Sequence, residues 1–399
     1  MKPLTLFDSE RLTLPEALDL TAESLRAYGG QYRHWAIAFS GGKDSSATVA
    51  AVVYLIRSGR IGAPESLTVL YADTRQELPP LHASAMAMLD RLKAQGIRTR
   101  VVLPPMDKRF MVYMFGRGVP PPNNGTLRWC TRQIKVDPML AALQELREAS
   151  GEKFLMLTGV RIGESAARDQ RIAISCSRDG AECGQGWFQE MTGDAISDTL
   201  APILHWRVCH VWDWLMGFGP DHGLPTEDVA AAYGGEEAEE KNARTGCIGC
   251  PLATKDVALD LLLDLPAWAY LAPLKRLRPL YRELRLPHNR LRKHGEHLKD
   301  GSLAKNPNRM GPLTMAARRH GLETVLRIQA EVSEAARRQG RPPVSLINSE
   351  EHARILELIA ANTWPERWTG AEPRGDEAFV PVLEQELGSQ YLFATEGED

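Results

Sequence analysis

The feature that most constrains the fold is a short apolar run that ends in a glycine-rich turn. His34–Phe39 reads HWAIAF, which has the length and composition of a buried strand, and Ser40–Ser46 follows directly with the sequence SGGKDSS. Helical periodicity then runs through Ser46–Ser58. Glycines allow the backbone to turn tightly between a strand and a helix. The order of strand, glycine-rich turn and helix therefore predicts one unit of an α/β sheet.

The same alternation of strand and helix signals continues along the first half of the chain. Further strands are predicted at Ser66–Tyr71, Arg98–Leu103 and Phe154–Thr158, with helices over Pro79–Gln95 and about Pro138–Ser150. Strands that alternate with helices are typical of a doubly wound, mostly parallel sheet. The predicted fold class is therefore α/β.

The pattern changes near Gly219. Beyond it β-branched runs are rare, and helical stretches such as Asp256–Asp264 and Leu313–Gln339 dominate. A chain of 399 residues exceeds what one hydrophobic core usually serves. We therefore expect an α/β domain at residues 1–220 and a mainly helical C-terminal region, with a C-x-x-C loop and basic helices, at residues 221–399.

The turn at Ser40–Ser46 has the composition of a phosphate-binding loop. Its glycines let the backbone approach a ligand, and the first N–H groups of the following helix point at a bound anion. The hydroxyls of Ser40, Ser45 and Ser46 can donate to phosphate oxygens, and Lys43 adds positive charge. The loop is not a Walker A loop, because Asp44 follows the lysine and Ile37 stands where the first glycine belongs. We expect this loop to be exposed and to make little contact with the core.

SGGKDSS resembles the PP-loop of the adenine-nucleotide alpha-hydrolase superfamily, specifically its phosphoadenosine-phosphosulfate-reductase-like branch. Three further segments are similar to motifs of that branch and occur in the same order: D-T-x-x-E at Asp73, Thr74 and Glu77, with the proline one place late at Pro79; G-x-R-x-x-E-S-x-x-R from Gly159 to Arg168; and P-I-x-x-W with V-W-x-x-L from Pro202 to Leu215. The resemblance covers residues 30–255, approximately, and implies binding of ATP with cleavage between its alpha and beta phosphates.

The resemblance also implies a set of site residues. Asp73 ends a strand, where open α/β sheets bind ligands, so its carboxylate could accept from ribose or adenine or hold Mg²⁺. Arg161 and Arg168 could neutralise phosphate through bidentate contacts, and Glu164 could orient them. Structural ion pairs are the alternative for all four residues. The implied catalytic residues are Lys43, Asp44, Asp73, Arg161 and Arg168, and the implied ATP-binding residues are Ser40, Gly41, Gly42, Lys43, Asp44, Ser45, Ser46, Asp73, Thr74, Gly159, Arg161 and Glu164.

The six cysteines are few for a disulfide scaffold and favour thiolate or metal chemistry. Cys247 and Cys250 have C-x-x-C spacing, and Cys130 lies in the segment RWCTRQIK. Two cysteines at this spacing with a distant third suit zinc or an iron–sulfur cluster. W-C-T-R-x-x-K followed by G-C-x-x-C-P-L resembles the iron–sulfur members of the superfamily, especially the DNA phosphorothioation proteins of the DndC/SspD type. That resemblance implies a 4Fe–4S cluster on Cys130, Cys247 and Cys250.

One departure concerns the fourth ligand of that cluster. Sequences of the DndC type usually carry another cysteine shortly before the C-x-x-C, and here Glu239–Asn242 has none. A fourth ligand would have to come from Cys176, Cys183 or Cys209, of which Cys183 is the candidate retained. Alternatively, three ligands leave one iron open, as in tRNA thiolases. Cys209 is expected in the core, and structural zinc on the three cysteines remains an alternative.

Charge and hydropathy restrict the partners. Lys and Arg number 48 against 51 Asp and Glu, a formal net charge of −3, so contact with nucleic acid must come from a local patch. Because no apolar run approaches the ~20 residues needed to span a bilayer, and the N-terminus lacks a secretory signal, we expect a cytoplasmic protein without membrane contact. The candidate DNA-binding patch consists of Arg276, Arg278, Arg282, Arg285, Arg290, Arg292 and Lys293.

The leading hypothesis is an ATP pyrophosphatase that activates a DNA backbone phosphate for sulfur insertion. It would use ATP, Mg²⁺ and an iron–sulfur cluster, with a cysteine desulfurase as sulfur donor and other phosphorothioation subunits as partners. The alternatives are a sulfonucleotide reductase acting on PAPS or APS, a tRNA thiolase, and a regulatory subunit that senses ATP without turnover. Release of pyrophosphate would exclude the regulatory subunit, and a requirement for thioredoxin would identify the reductase.

Overall fold

The computed structural model divides the chain into two compact units. The first comprises Met1–Pro105, Trp129–Ile248 and Lys255–Ala272, and the second comprises Met106–Arg128, Gly249–Thr254 and Pro273–Asp399. The first unit therefore extends past the boundary predicted at residue 220, and the second takes a segment from the α/β half of the sequence. The residues described are 12–125, 127–164, 169, 170, 172, 186–190, 195–233, 246–293, 301, 302 and 308–377.

A six-stranded sheet organises the first unit. Its strands are β1 His34–Phe39, β2 Ser66–Ala72, β3 Arg98–Val102, β4 Phe154–Leu157, β5 Trp187–Gln189 and β6 Ser197–Ala201. Their order across the sheet is β3-β2-β1-β4-β6-β5, and all neighbours are parallel except β5, which runs antiparallel to β6. The predicted α/β class and mostly parallel sheet are confirmed.

The position of β1 determines where ligands can bind. It pairs with β2 on one side and with β4 on the other. The chain therefore runs outward from β1 through β2 to β3 and then crosses to the opposite side of β1 at β4. Open α/β sheets bind ligands in the crevice at such a switch point, outside the carboxyl ends of the strands. The loops at this edge after β1, β2 and β4 carry SGGKDSS, the D-T-x-x-E element and the G-x-R-x-x-E motif, respectively.

The helices of the first unit cover the sheet with small and apolar side chains. Ala47, Val49, Ala50 and Val52 of the helix after β1 are completely buried. Trp206, Trp212 and Trp214 are at most 2% exposed and belong to the core. Among the described residues of this unit, the α-helices longer than one turn are α1 Leu14–Gly29, α2 Lys43–Arg57, α3 Pro79–Ala94, α4 Asp137–Ser150, α5 Val208–Asp213, α6 Glu227–Ala232 and α7 Val257–Leu263.

The second unit is helical, as predicted for the C-terminal region. Its α-helices are α8 Leu277–Glu283, α9 Met315–Arg338 and α10 Ser349–Ala360. Arg318 of α9 is fully buried, and its guanidinium donates to the backbone oxygens of Phe115 and Thr363 at 2.8 Å each. The hydrogen bond to Phe115, together with another from Arg318 to the Gly116 oxygen, fastens the segment Met106–Arg128 to α9. No helix in the described part of the chain is long and apolar enough to cross a membrane.

Two members of the predicted DNA-binding patch are structural. Arg290 and Arg292 are 8% and 2% exposed. Arg290 donates from Nε to the Gly311 oxygen at 2.5 Å, and Arg292 donates to Asn308 Oδ1 at 3.0 Å. The prediction that they contribute surface charge is therefore wrong, because their guanidinium groups hold the fold. Arg276 and Arg282 do lie on the surface.

Candidate functional site

The turn after β1 packs closely, contrary to the prediction that it is exposed. Lys43 is 7% exposed and Ser46 fully buried. Gly41 has φ +73°, and a Cβ there would lie 2.8 Å from Ala85 Cβ of α3 and 3.6 Å from the Tyr71 ring. Only glycine combines this left-handed conformation with so little space. Ser40–Ser46, called the phosphate loop below, is therefore held between β2 and α3.

A second glycine fixes the phosphate loop from the other side. Gly159 follows β4, and a Cβ at this position would lie 2.9 Å from the backbone atoms of Asp44 and from the Ser45 nitrogen. The backbone after β4 thus lies directly against the phosphate loop. This close approach explains the glycine of the G-x-R-x-x-E motif.

Two buried cations share one carboxylate at the phosphate loop. Asp44 Oδ2 lies 2.9 Å from Lys43 Nζ, and Asp44 Oδ1 lies 2.5 Å from Arg161 Nε. Arg161 is 5% exposed and also donates from Nη1 to the Trp206 oxygen at 3.1 Å. Burial alone would raise the pKa of Asp44, but Lys43 and Arg161 outweigh it and hold that pKa below its ordinary value. Asp44 therefore stays ionised and positions both cations.

Glu164 contacts Arg161 from the end of the same motif. Its Oε1 lies 3.9 Å from Arg161 Nη2, and its Oε2 accepts the Arg161 backbone N–H at 3.4 Å. Burial and the neighbouring charge of Asp44 raise the pKa of Glu164. The structure thus brings together Lys43, Asp44, Gly159, Arg161 and Glu164, whereas the predicted catalytic residue Arg168 lies outside the described residues.

The serines of the phosphate loop have different partners. Ser45 Oγ donates to the Gly42 oxygen at 3.0 Å and lies 3.1 Å from Ser40 Oγ. Ser46 Oγ is buried and has no hydrogen-bond partner among the described residues. An orphaned buried hydroxyl is costly unless another group satisfies it, so the loop has polar capacity suited to a phosphate oxygen.

A tyrosine that sequence reasoning missed also contacts the phosphate loop. The backbone N–H of Lys43, at the first turn of α2, donates to the Tyr233 hydroxyl at 3.0 Å. Gly42 at the N-cap supplies no side-chain acceptor. Tyr233 is therefore an acceptor for one of the helix N–H groups that could otherwise bind an anion. Tyr233 lies 190 residues after Lys43 in the sequence, and no sequence pattern connects the two residues.

Two carboxylates and an imidazole meet after β2. Asp73, Glu77 and His82 place their ligand atoms within 4.8 Å of one another, and this trio is called the acidic cluster below. Thr74 donates from Oγ1 to Glu77 at 2.6 Å, and the Arg75 N–H donates to Asp73 at 2.9 Å. Burial and the charge of Asp73 raise the pKa of Glu77 despite the hydrogen bonds from Thr74. Sequence reasoning named Asp73 and Thr74 but missed His82.

The described cysteines Cys130, Cys209, Cys247 and Cys250 are thiols, and each is partly buried. Cys130 begins a helical stretch that leads into α4, and Cys247 precedes the turn at Ile248 and Gly249. The Ile248 N–H donates to the Gln76 oxygen at 2.7 Å, which attaches this loop to the turn after β2. Cys209 was expected in the core, but it is only partly buried. Cys176 and Cys183 lie outside the described residues.

Comparison with known proteins found one family model. Residues 34–222 match the model of the phosphoadenosine phosphosulfate reductase domain. The match spans the whole sheet, the phosphate loop and the acidic cluster. No curated protein matches the chain.

Several solved structures are similar at low identity. Phosphoadenylyl-sulfate reductase from Candida auris, in a phosphate complex, is 11% identical over 59% of this chain and 96% of that chain, with a TM-score of 0.34. U34-tRNA thiolase NcsA from Methanococcus maripaludis, with its 4Fe–4S cluster, is 13% identical over 68% of this chain and 82% of that chain, with a TM-score of 0.34. FMN adenylyltransferase from Candida glabrata, with FMN and the ATP analogue AMPCPP, is 11% identical over 54% and 60%, with a TM-score of 0.32.

Proposed function

We propose that this protein is an ATP pyrophosphatase that activates a DNA backbone phosphate for sulfur insertion. The observation that carries the ATP part is the sharing of Asp44 between Lys43 and Arg161, beside a glycine-rich loop at the switch point of the sheet. The phosphoadenosine phosphosulfate reductase domain supports an adenylyl substrate. The DNA acceptor rests on the resemblance of the cysteine segments to phosphorothioation proteins.

The side chains of the phosphate loop fit a triphosphate. A polyphosphate carries more negative charge than one carboxylate, so Lys43 and Arg161 would turn from Asp44 toward its oxygens. N–H groups of the first turn of α2 and the Ser46 hydroxyl would add donors. Phosphoryl transfer depends mostly on positioning and charge stabilisation, which are what these residues provide. In this scheme Mg²⁺ accompanies ATP, and Asp73 supplies a carboxylate for that ion or for ribose.

The cysteines supply the sulfur part of the proposal. Cys130, Cys247 and Cys250 would hold a 4Fe–4S cluster, whose chemistry would be to carry a sulfur atom received from a cysteine desulfurase. The choice of these residues rests on their spacing in the chain together with the resemblance of their segments to iron–sulfur members of the superfamily. The hydrogen bond from Ile248 to Gln76 adds support, because it keeps the loop beginning at Cys247 at the sheet edge where the phosphate loop lies.

The first test measures pyrophosphate release from ATP. The double variant Ser40→Ala/Lys43→Ala should lose about 10²–10³-fold or more of the wild-type rate, the range seen when a single charge-stabilising donor is removed. Lys93→Ala, an exposed lysine on α3, is the matched control and should retain the rate. Because Lys43 is buried, circular dichroism must show that the double variant is folded. Full pyrophosphate release by the folded variant would refute the assignment of the phosphate loop.

The acceptor is tested by mass spectrometry of nucleosides. DNA from cells that express the protein with its partners should contain phosphorothioate linkages, and DNA from cells with the Lys43→Ala variant should not. Sulfur found only in tRNA would instead identify a thiolase. The name of the matching domain favours one further candidate, a sulfonucleotide reductase. That activity would require thioredoxin and would release sulfite, and detecting it would overturn the DNA proposal.

The metal is tested by purification without oxygen. The protein should be brown and contain iron and acid-labile sulfide, and Cys130→Ser, Cys247→Ser or Cys250→Ser should each remove the iron. Cys209→Ser, Cys176→Ser and Cys183→Ser serve as controls; iron loss in one of them would identify that cysteine as a fourth ligand and exclude an open iron. A colourless protein with stoichiometric zinc would show that the site is structural.

A further inference from the structure

The acidic cluster carries negative charge that no side chain in the described structure balances. Asp73 is 7% exposed, and neither its carboxylate nor that of Glu77 forms an ion pair with a described Lys, Arg or His. The only hydrogen bond that Asp73 accepts from the described residues goes to Oδ1, from the Arg75 N–H. Buried carboxylates this close together repel each other unless a cation or a proton joins them. Among the described residues, the cluster therefore has no Lys or Arg partner.

The local backbone and its hydrogen bonds hold the possible metal-ligand atoms of Asp73, Glu77 and His82 close together. Arg75 adopts φ +62°, a left-handed conformation that turns the chain sharply after β2 and brings Glu77 back toward Asp73. The N–H groups of Thr74 and Gln76 both donate to the Glu77 carboxylate, which fixes its orientation. His82, on the first turn of α3, is oriented by the Tyr71 hydroxyl, which lies 3.2 Å from Nδ1. Histidines that ligate metals are held by such partners.

We infer that Asp73, Glu77 and His82 bind a divalent transition-metal ion, one of the Mn²⁺ and Zn²⁺ class. Two carboxylates with one imidazole make a donor set that these ions accept, whereas Mg²⁺ prefers oxygen ligands alone. The ion is distinct from the Mg²⁺ that accompanies ATP in the proposed function, because the protein would hold it without nucleotide. When Asp73 binds this ion, the Mg²⁺ of ATP would be held by phosphate oxygens and not by Asp73. The inference therefore stands or fails separately from ATP turnover.

The position of the acidic cluster gives the ion a role beside the phosphate loop. Tyr71, which contacts His82, also lines the space in front of Gly41. A metal held by the acidic cluster would thus lie on the β2 side of the phosphate loop, whereas Lys43 and Arg161 meet at Asp44, against Gly159 on the β4 side. Oxygens of a ligand bound at the phosphate loop would then face the metal ion on one side and Lys43 and Arg161 on the other.

The test uses Mn²⁺ as the probe, because thiolates favour softer ions and the cysteines would confuse a zinc titration. The full-length protein is stripped with EDTA, titrated with Mn²⁺ in the absence of nucleotide, and followed by electron paramagnetic resonance of free and bound Mn²⁺. We expect one Mn²⁺ per chain, with nitrogen hyperfine coupling from His82. An approximately tenfold excess of Mg²⁺ should leave it bound, because the imidazole favours the transition metal.

Variants assign the ligands. Asp73→Asn and His82→Gln should each weaken Mn²⁺ binding by more than ~100-fold, since even outer partners of metal ligands are worth ~10–100-fold. The matched controls are the exposed residues Asp90→Asn, on α3, and His288→Ala, which should bind normally. The nitrogen coupling must disappear in His82→Gln, and this readout is decisive even if a variant is partly destabilised.

Several results would overturn the inference. These are no Mn²⁺ binding by the stripped wild-type protein, displacement of Mn²⁺ by an equal concentration of Mg²⁺, or unchanged nitrogen coupling in His82→Gln. Mn²⁺ that binds only with ATP would also overturn it, since that ion would belong to the nucleotide. A protein that binds Mn²⁺ as described but releases no pyrophosphate would keep the metal site and refute the proposed function.

Discussion

The phosphate loop after β1 and the acidic cluster after β2 lie at one edge of the same sheet and differ in how their charges are balanced. In the phosphate loop, Asp44 joins Lys43 and Arg161, so the buried cations already have an anion. In the acidic cluster, Asp73 and Glu77 have no Lys or Arg partner among the described residues. A balanced site can exchange its internal carboxylate for a ligand's phosphate. An unbalanced one must acquire a cation or a proton. The ligands that the two sites call for are therefore of opposite charge.

The largest effect expected from this comparison is on turnover. Asp73→Asn removes a charge from the acidic cluster while leaving the phosphate loop intact, and we expect the rate of pyrophosphate release to fall by the equivalent of about 2.7–4 kcal/mol in activation free energy. The measurement is kcat with saturating ATP, with Asp90→Asn as the control. Unchanged kinetics would make Asp73 a structural residue at the strand end and leave the phosphate loop to act alone.

The next effect is on the stability of the phosphate loop. Arg161→Lys keeps one positive charge near Asp44 but loses the fixed geometry that also reaches the Trp206 oxygen. We expect the free energy of unfolding to fall by about 1–3 kcal/mol, because a buried carbonyl oxygen loses its donor. Urea denaturation gives the value, and Arg57→Lys, exposed on α2, is the control. A loss no larger than in the control would show that the charge balance does not need the guanidinium.

A smaller effect should follow from the tyrosine at the first turn of α2. Tyr233→Phe removes the acceptor of the Lys43 N–H and should lower the free energy of unfolding by about 0.5–1.5 kcal/mol without nucleotide. With saturating ATP the difference should shrink, since a phosphate oxygen would take over the N–H. Tyr54→Phe, whose ring packs with Trp214 and Phe218, is the control. A difference that persists unchanged with ATP would show that phosphate does not reach this N–H.

The smallest effect is expected in the pH dependence of stability. Because the pKa of Glu77 in the folded protein is above its ordinary value of 4.5, the native state binds this proton more tightly than the unfolded state does. The contribution of this proton to the free energy of unfolding is therefore complete below that value. It is lost as the pH rises through the pKa of Glu77 in the folded protein. In EDTA, the stability of Glu77→Gln relative to wild type should increase as the pH rises above 4.5. Glu23→Gln is the control, and an opposite slope would show that a cation balances the cluster without metal.

Four strands could be predicted from their apolar and β-branched residues. The predicted strand His34–Phe39 has the bounds observed, and β2, β3 and β4 each differ from prediction by one residue. The prediction of β3 succeeded although most of its residues are not buried. The strands β5 and β6 were missed. Ser197–Ala201 has three polar residues in five, and its pairing with β4 rather than its own composition makes it a strand.

The candidate site was predictable only where its residues are close in sequence. The phosphate loop and the G-x-R-x-x-E motif are continuous segments, so their roles follow from their own residues. His82 lies five places after Glu77, a spacing that no helix or strand brings onto one face. The turn at Arg75 brings Glu77 toward Asp73, and the start of α3 at Pro79 places His82 beside them. The burial of Arg290 and Arg292 was likewise missed, because basic side chains near one another in sequence give no sign that backbone carbonyls will surround them.

The close approach of Gly159 to Asp44 and Ser45 has a consequence for the thermodynamics of ligand binding. Backbone lies against backbone there, so the phosphate loop cannot swing away from the sheet without breaking its contact with the end of β4. Its conformational entropy is lost when the chain folds and not when a ligand arrives. A nucleotide would then have to restrict only its own torsions and a few side chains, which leaves more of the contact energy as affinity. The same rigidity means that association would wait for the exchange of Lys43 and Arg161 between carboxylate and phosphate, which is a rearrangement of side chains and not the opening of a loop.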